Sequence, residues 1–265
     1  MSSSYQTLQL TVGDDGVCEI VLSRPELMNR FDPELHHELT RALRDIAVDT
    51  SVRAVVLAST GSAFSAGGDF ELMESAHKDA DVRREIIGDA RRLLDAFLGL
   101  PQPIVVAVQG PAIGLGATVA MLCDAVVAAR AAVLADTHVA VGLVAGDGGC
   151  LVWPQAVGMT LARRHLLTGD PLDAETALRL GVVTDLVDTP AEAHPAALAI
   201  ARKMARLAPL AVQGTKRALN QVSRQRADEV VDLALAFEEQ TLASEDLLEG
   251  VAAFRERRRP TFSGR

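Results

Sequence analysis

His138 and Asp147 are the residues of this chain whose type and setting most invite chemistry. They lie in "AAVLADTHVAVGLVAGDGGCLVWPQAVG", residues 131–158, a stretch otherwise mostly apolar. Apolar segments rarely carry isolated ionisable groups unless those groups are paired, exposed or useful. A neutral imidazole can take up a proton near pH 7. An aspartate beside it fixes its tautomer and favours the imidazolium. Asp147 stands in the glycine-flanked turn "VAGDGG", so a chain that turns back there brings its carboxylate to His138 or to a shared pocket. The competing account is structural: Asp147 caps a helix beginning near Gly148, and His138 is a hydrogen-bonded core residue.

Two glycine-rich segments could supply the other half of a reaction centre. "FSAGGDF" (64–70) and "GPAIGLG" (110–116) each place glycines where a strand hands over to a helix. Glycine lets a ligand approach main-chain N–H groups closely, and the first N–H groups of a helix have no partners within it. Two such groups facing one point would form an oxyanion hole for an enolate or tetrahedral intermediate. Short glycine patterns are weak signals by themselves, and plain strand-to-helix turns explain them equally well.

These residues need elements to hold them. "LQLTV" and "CEIVLS" read as strands around the turn "GDDG". "DPELHHELTRALRDIAVD" (32–49) opens with Asp and Pro in cap order, and Leu35, Leu39, Leu43 and Ile46 make one apolar face. "RAVVLAS", "PIVVAVQG" and "DAVVAA" read as buried strands. Helices are expected over 81–99 and 113–123, with 70–90 counted among the variable loops that shape a pocket. From about residue 148 the chain reads as helical, with "DAETALRLG" ending in a helix-stopping glycine and further helices over 191–206, 208–222 and 226–256. Strands alternating with helices imply an α/β domain with a largely parallel sheet. The division expected is a core over 1–200 and a helical region over 201–265 that covers the sheet or packs on a neighbour.

Bulk properties narrow the class. With 265 residues, 49% hydrophobic and 23% charged, the chain can bury a large core; at 3% aromatics, that core must be aliphatic. A net charge of −9 argues against nucleic acid as a partner. The end of the chain, "FRERRRPTFSGR", is locally basic and either meets phosphates or is simply solvated. Cys18, Cys123 and Cys150 are odd in number and lack metal-site spacing, so reduced thiols, no metal and no redox cofactor are expected. "MSSSYQTLQLTV" lacks the pattern of a secretory leader, and no uninterrupted span of membrane length is read, so a cytoplasmic location without a membrane partner is expected. Trp153 reads as core or interface packing.

Taken in order, "LSRPELMNRFDPELHHEL", "FSAGGDFELM", "VVAVQGPAIGLGATVAMLCDAVVAA", "GDGGCLVWPQAVG", "LLTGDPLDAETALRLGVVTDLV" and "EGVAAFRERRRPTFSGR" resemble the crotonase superfamily, the enoyl-CoA hydratase/isomerase family. The resemblance covers roughly residues 8–265. It implies a spiral of ββα units followed by a helical trimerisation region, with assembly as a homotrimer or a dimer of trimers. It implies an oxyanion hole from the backbone N–H groups of Gly68 and Leu115, holding the thioester carbonyl of an acyl-CoA as an enolate forms. Substrate contacts implied are Arg24, Pro25, Leu27, Ala66, Thr118 and Phe254, the last with its following arginines and from the same or a neighbouring subunit. Coenzyme A enters as part of the substrate, and no cofactor is expected.

The chain departs from the family pattern at its chemistry. Hydratases of the family use two glutamates to add water to a double bond; the matching positions here are Thr118 and His138. The segment around His138 and Asp147 instead resembles the 6-oxocamphor hydrolase branch, which cleaves a cyclic β-diketone without coenzyme A. His36 and Glu238 fall at two further active-site positions of that branch, as accessory candidates. Leu115 stands near a position where the branch has a histidine, and "SAGGD" is the CoA-type loop. Three readings follow. The favoured one is an enolate-forming acyl-CoA enzyme with His138 as proton carrier and Asp147 orienting it. The others are a β-diketone hydrolase in which His138 activates water, and a non-catalytic acyl-CoA-binding protein.

Overall fold

The computed structural model describes residues 5–265; the first four residues of the segment read for a leader lie outside the described residues. The chain opens with the hairpin β1 (Leu8–Val12) and β2 (Val17–Leu22). A 3-10 turn at Pro25–Leu27 leads to α1 (Pro33–Val48). Asp32 caps α1 by accepting the Leu35 N–H at 3.0 Å, and Pro33 fills the first helical position, where its missing N–H costs nothing. Then come β3 (Ala54–Ser59), α2 (Phe70–Lys78), α3 (Ala80–Gly99) and β4 (Ile104–Val108). β5 (Ala112–Ile113), α4 (Leu115–Met121), β6 (Ala125–Ala129) and β7 (Val133–Ala135) follow. Past a 3-10 turn at His138–Val141 lie α5 (Gly149–Val157), α6 (Met159–Thr168), β8 (Leu172–Asp173), α7 (Ala174–Leu180) and β9 (Asp185–Val187). α8 (Pro190–Ala205), α9 (Pro209–Leu242) and α10 (Glu245–Glu256) complete the chain.

Six strands form the main sheet in the order β1-β2-β3-β4-β6-β9, antiparallel only between β1 and β2. Its side chains sort by the period-2 alternation of a strand. Val55, Leu57, Ile104, Val106 and Val126 face the large core with α1 and α3, while Val56, Ala58, Val105, Ala107 and Val127 face α8. α8 meets them with Ala193, Ala197, Ala201 and Ala205, one small residue per turn, which lets the helix lie close on the sheet. Both faces are covered, so β4 and β6 read as unbroken apolar runs. Trp153 is fully buried and stacks on His165, in the core as expected.

The α/β class is borne out, and several element expectations are corrected. A nine-residue helix, α2, occupies the start of the 70–90 stretch taken as a loop; Asp69 caps it by accepting the Glu71 N–H at 2.9 Å. α4 is shorter than 113–123 because Ile113 pairs as a strand and Gly114 breaks the helix with φ +52. A second sheet, β5-β7-β8, was not anticipated, since two- and three-residue strands carry no periodicity. β9 returns to the main sheet inside the stretch read as purely helical. The break expected between 208–222 and 226–256 does not occur there. α9 runs through it, because no Gly or Pro interrupts "NQVSRQRADEV" and Ala227, Val231 and Leu235 hold one face on the main core. The real break is at Ala243, after which Ser244 caps α10.

Residue 200 falls within α8, and α9 packs on the main core through Ala227, Val231 and Leu235. Lys216 of α9 is buried and donates to Asp124 at 2.6 Å and to the Gln102 carbonyl at 2.9 Å, pinning that helix to the ends of β4 and β6. No helix of the described residues is long and apolar enough to cross a membrane.

Candidate active site

The two glycine loops are joined backbone to backbone. Ser65 bridges Ala112, and the Ile113 N–H donates to the Ser65 carbonyl at 3.0 Å. Gly67, at φ +88, sits so close to Ile113 that a Cβ there would lie 2.9 Å from the Ile113 carbonyl oxygen, so the approach requires glycine. Gly68 and Leu115 thereby come to line one cavity, together with His36, His138, Asp147 and Glu238. Among the described residues neither the Gly68 nor the Leu115 N–H has an acceptor; Leu115 opens α4, where such a donor is normally orphaned. The cavity holds about 50 Å³, room for water but short of what a ligand pocket occupies. Leu72 and Met73 of α2 and Leu242 of α9 close it.

His138 stands in the 3-10 turn after β7, buried, with both ring nitrogens on carboxylates. Nδ1 lies 2.7 Å from Asp136 Oδ1, and Nε2 lies 3.2 Å from Asp147 Oδ2. Asp147 does not cap α5; Gly148 occupies that position without a side-chain bond. Glu238 reaches in from α9, and the ligating atoms of His138, Asp147 and Glu238 lie within 4.8 Å of one another. A Cβ on Gly146 would fall 2.6 Å from Glu238 Oε2, so a glycine there lets the Asp147 turn dock on α9. One oxygen of each carboxyl group, Asp136 Oδ2, Asp147 Oδ1 and Glu238 Oε2, is buried without a partner.

Burial alone would lower the His138 pKa, but the Asp147 and Asp136 carboxylates outweigh it and hold the imidazole well above its ordinary value. The imidazolium that a neighbouring aspartate favours is thus clamped between two carboxylates, Asp147 and Asp136. Glu238 moves the opposite way in charge: burial first, then the Asp147 carboxylate, raise its pKa to about 8. His36 is lowered to about 4 by burial, against the pull of Asp89 and Asp147; it packs edge-on against Phe31, and its Nδ1 has no partner. Near neutral pH the site therefore holds one imidazolium, a protonated Glu238 and a neutral His36.

The remaining sequence candidates lie outside the cavity wall. Thr118, one turn beyond Leu115 in α4, is buried against Gly148 with its hydroxyl unpartnered. Arg24 is spent on a forked pair with Asp32, at 2.7 and 2.8 Å. Pro25 and Leu27 form the 3-10 turn, and Ala66 ties its N–H to the Met28 carbonyl at 3.0 Å. Phe254 is largely exposed and packs edge-on against Phe70 of the same chain. The basic end of the chain is partly neutralised internally: Arg255 pairs with Glu74, and Arg258 with Glu249 and Glu256. Sequence reasoning missed Asp136, whose only signal is its place two residues before His138, a spacing that lets a short side chain reach back to its neighbour.

Two groups of three side chains are close enough to embrace a cation: His138 with Asp147 and Glu238, and His37 with Glu85 and Asp89. No such spacing is visible in the sequence. In the first, both imidazole nitrogens are already committed to carboxylates; in the second, Asp89 already holds Arg92 at 2.7 Å and His37 at 3.0 Å. Both are ion-pair networks of the protein itself.

The sequence model of a family described as "Enoyl-CoA hydratase/isomerase" matches residues 13–265. The 2,3-dehydroadipyl-CoA hydratase of Escherichia coli (strain K12) is 35% identical over 251 residues, covering 93% of this chain and 94% of its own. Among solved structures, an enoyl-CoA hydratase/isomerase from Mycobacterium paratuberculosis superposes with a TM-score of 0.89 at 37% identity, covering 94% of this chain and 99% of that one. A β-diketone hydrolase from the cyanobacterium Anabaena, bound to (S)-3-oxocyclohexyl acetic acid, gives a TM-score of 0.82 at 27% identity, covering 90% and 95%.

Proposed function

From the premise that this chain belongs to the enoyl-CoA hydratase/isomerase family, we propose that it is an enzyme that acts on an acyl-CoA thioester through an enolate held by the Gly68 and Leu115 N–H groups. The observation that carries this reading is that His138, Asp147 and Glu238 gather in the one cavity that the Gly68 and Leu115 donors also line. Asp147 lies 3.2 Å from His138 Nε2, and Glu238, whose pKa burial raises to about 8, keeps its proton near neutral pH. Asp147 takes the proton of an attacking water, or the α-proton of the substrate, and Glu238 delivers one. The pair does from two other elements what carboxylates at positions 118 and 138 do in hydratases. His138 then serves as a fixed positive charge that orients Asp147.

A second reading is favoured by the same cluster together with His36, and by the likeness to a β-diketone hydrolase. Water gives its proton to Asp147 and its oxygen to one carbonyl carbon of a 1,3-diketone. The bond to the central carbon then breaks, its electron pair enters the enolate held by the two N–H groups, and Glu238 protonates that carbon. The products are a carboxylic acid and a ketone.

The test is turnover of crotonyl-CoA and of a cyclic 1,3-diketone by wild type, His138→Ala and Glu238→Gln. Turnover of the thioester, reduced roughly 10²–10⁴-fold in either variant, supports the first reading. Turnover of the diketone alone supports the second. Tight binding of acetoacetyl-CoA without turnover, unchanged in His138→Ala, makes the chain an acyl-CoA-binding protein and overturns both. Assembly as a homotrimer or a dimer of trimers, and a cytoplasmic location, belong to the same proposal.

A further inference from the structure

Asp136 lies outside the acid–base assignments above, yet it is 1% exposed and carries the shortest contact to His138. It follows β7 directly, and β7 pairs in parallel with β5 through Ala112↔Leu134 and Ile113↔Ala135. The next bond in that register is the Gly114 N–H to the Ala135 carbonyl, at 2.8 Å. One short strand pair therefore fixes both the loop that presents Leu115 and the residue that precedes Asp136. Gly114 also packs on the His138 ring, since a Cβ there would lie 3.4 Å from Cε1. On its far side Asp136 is wedged against the first residue of α5: a Cβ on Gly149 would fall 2.3 Å from Asp136 Oδ2. The helix N-terminus there favours a negative group, and the lack of a side chain at Gly149 leaves room for it.

We infer that Asp136 is a positioning residue. It holds the proton on His138 Nδ1 and fixes the ring plane, so that Nε2–H faces Asp147, and the β5–β7 pairing sets this geometry in register with the oxyanion loop. The inference rests on the reading of His138 as the fixed cation of the site. A carboxamide at position 136 could still accept from Nδ1–H but would bring no charge, which separates the two parts of the role. The charged and titratable groups around the imidazole are few. Asp147 comes from the turn before α5, Glu238 from α9, Cys150 from α5 and His36 from α1. α10 meets the 3-10 turn through Gly250, the backbone of Asp246 and the Leu247 N–H, and His165 of α6 is occupied by the Asp170 carbonyl.

The test is imidazole NMR of the full-length protein without substrate, in wild type, Asp136→Asn and Gly149→Ala, with His138→Ala to assign the signal. In wild type the Nδ1 proton is expected far downfield, as in a short imidazolium–carboxylate bond. In Asp136→Asn the His138 midpoint should drop by about one pH unit or more, and kcat by roughly 10–100-fold with KM nearly unchanged. Gly149→Ala, which crowds Asp136 without touching His138, should weaken the same downfield signal, and it serves if Asp136→Asn fails to fold. The inference is overturned by a wild-type spectrum without the downfield proton, or by a His138 titration that is the same in wild type and Asp136→Asn. The reading of the enzyme fails separately, through absence of turnover on either substrate while the imidazole signals behave as expected.

Discussion

Glu238 is the residue where chemistry and stability pull in opposite directions. Its carboxyl titrates near 4.5 when exposed and at about 8 in the fold. Between those values the folded chain holds a proton that the unfolded chain has released, so stability falls as pH rises across that window. Glu238→Gln should remove the dependence and raise the melting temperature at pH 8, by roughly 2–4 °C per kcal/mol relieved, while turnover falls. The wild-type kcat/KM should decline above about pH 8, as Glu238 loses the proton it donates. A pH–rate profile that stays flat through that region removes Glu238 from the acid role. His138 and His36 act with opposite signs. Held above its ordinary value, His138 contributes stability that is complete below about pH 6.5 and lost as pH rises through its folded value. His36, lowered to about 4, contributes stability that is lost as pH falls from 6.5 toward 4. Urea unfolding of His36→Leu should therefore be flatter than wild type on the acid side.

At the scale of elements, the 3-10 turn that carries His138 is held from outside by α10. Gly142, at φ +80, and Gly250 let the two backbones touch: a Cβ on Gly250 would meet the Val141 backbone at 2.6 Å, and one on Gly142 the Asp246 carbonyl at 2.8 Å. Around them Val141, Leu143, Leu242, Leu247 and Val251 form a small apolar cluster of their own with Ala76 of α2. Gly250→Ala should force α10 off the turn, at about 1–3 kcal/mol, and lower turnover more than its distance from the cavity suggests. Chemical denaturation together with the His138 imidazole signal checks this: lost stability with an undisturbed signal shows that α10 does not hold the turn. α9 is fixed more firmly. Lys216→Ala removes a buried donor from the Gln102 carbonyl and from the partly exposed Asp124, and should cost roughly 1–3 kcal/mol.

The whole molecule shows one side of α9 that its own core does not cover. Leu219, Val222, Leu233 and Phe237 are more than half exposed or close to it, at 67, 56, 60 and 50%. They form two pairs, Leu219 with Val222 and Leu233 with Phe237, on the side away from Ala227, Val231 and Leu235, with the exposed Arg226–Glu229 ion pair between them. Large apolar side chains left to water favour association, in keeping with the proposed trimer or dimer of trimers. Leu233→Glu combined with Phe237→Glu should yield monomers in light scattering if a second copy covers this face; unchanged mass would place the contact elsewhere. Because Glu238 lies next to that face yet points into its own chain's cavity, monomers that keep partial turnover are expected.

Much of this protein was legible in its sequence, and the division has a physical basis. Local steric and periodic signals determined α1, with Asp32 and Pro33 at its start, and the buried strands β3, β4 and β6, because cap chemistry and apolar runs are written in adjacent residues. The motifs in order determined the family, and the turn at "VAGDGG" was enough to suggest that Asp147 returns to His138. What the sequence did not carry was anything set by surroundings. The second sheet is too short to have a period, and α9 is held as one helix by packing of Ala227 and Val231 that its polar surface conceals. Likewise the clamp of Asp136 and Asp147 on His138, and the proton kept by Glu238, depend on burial and on charges brought together from β7, α5 and α9. A residue's type says which protons it can hold; only the tertiary structure, by removing water and fixing the neighbouring charges, decides which ones it keeps.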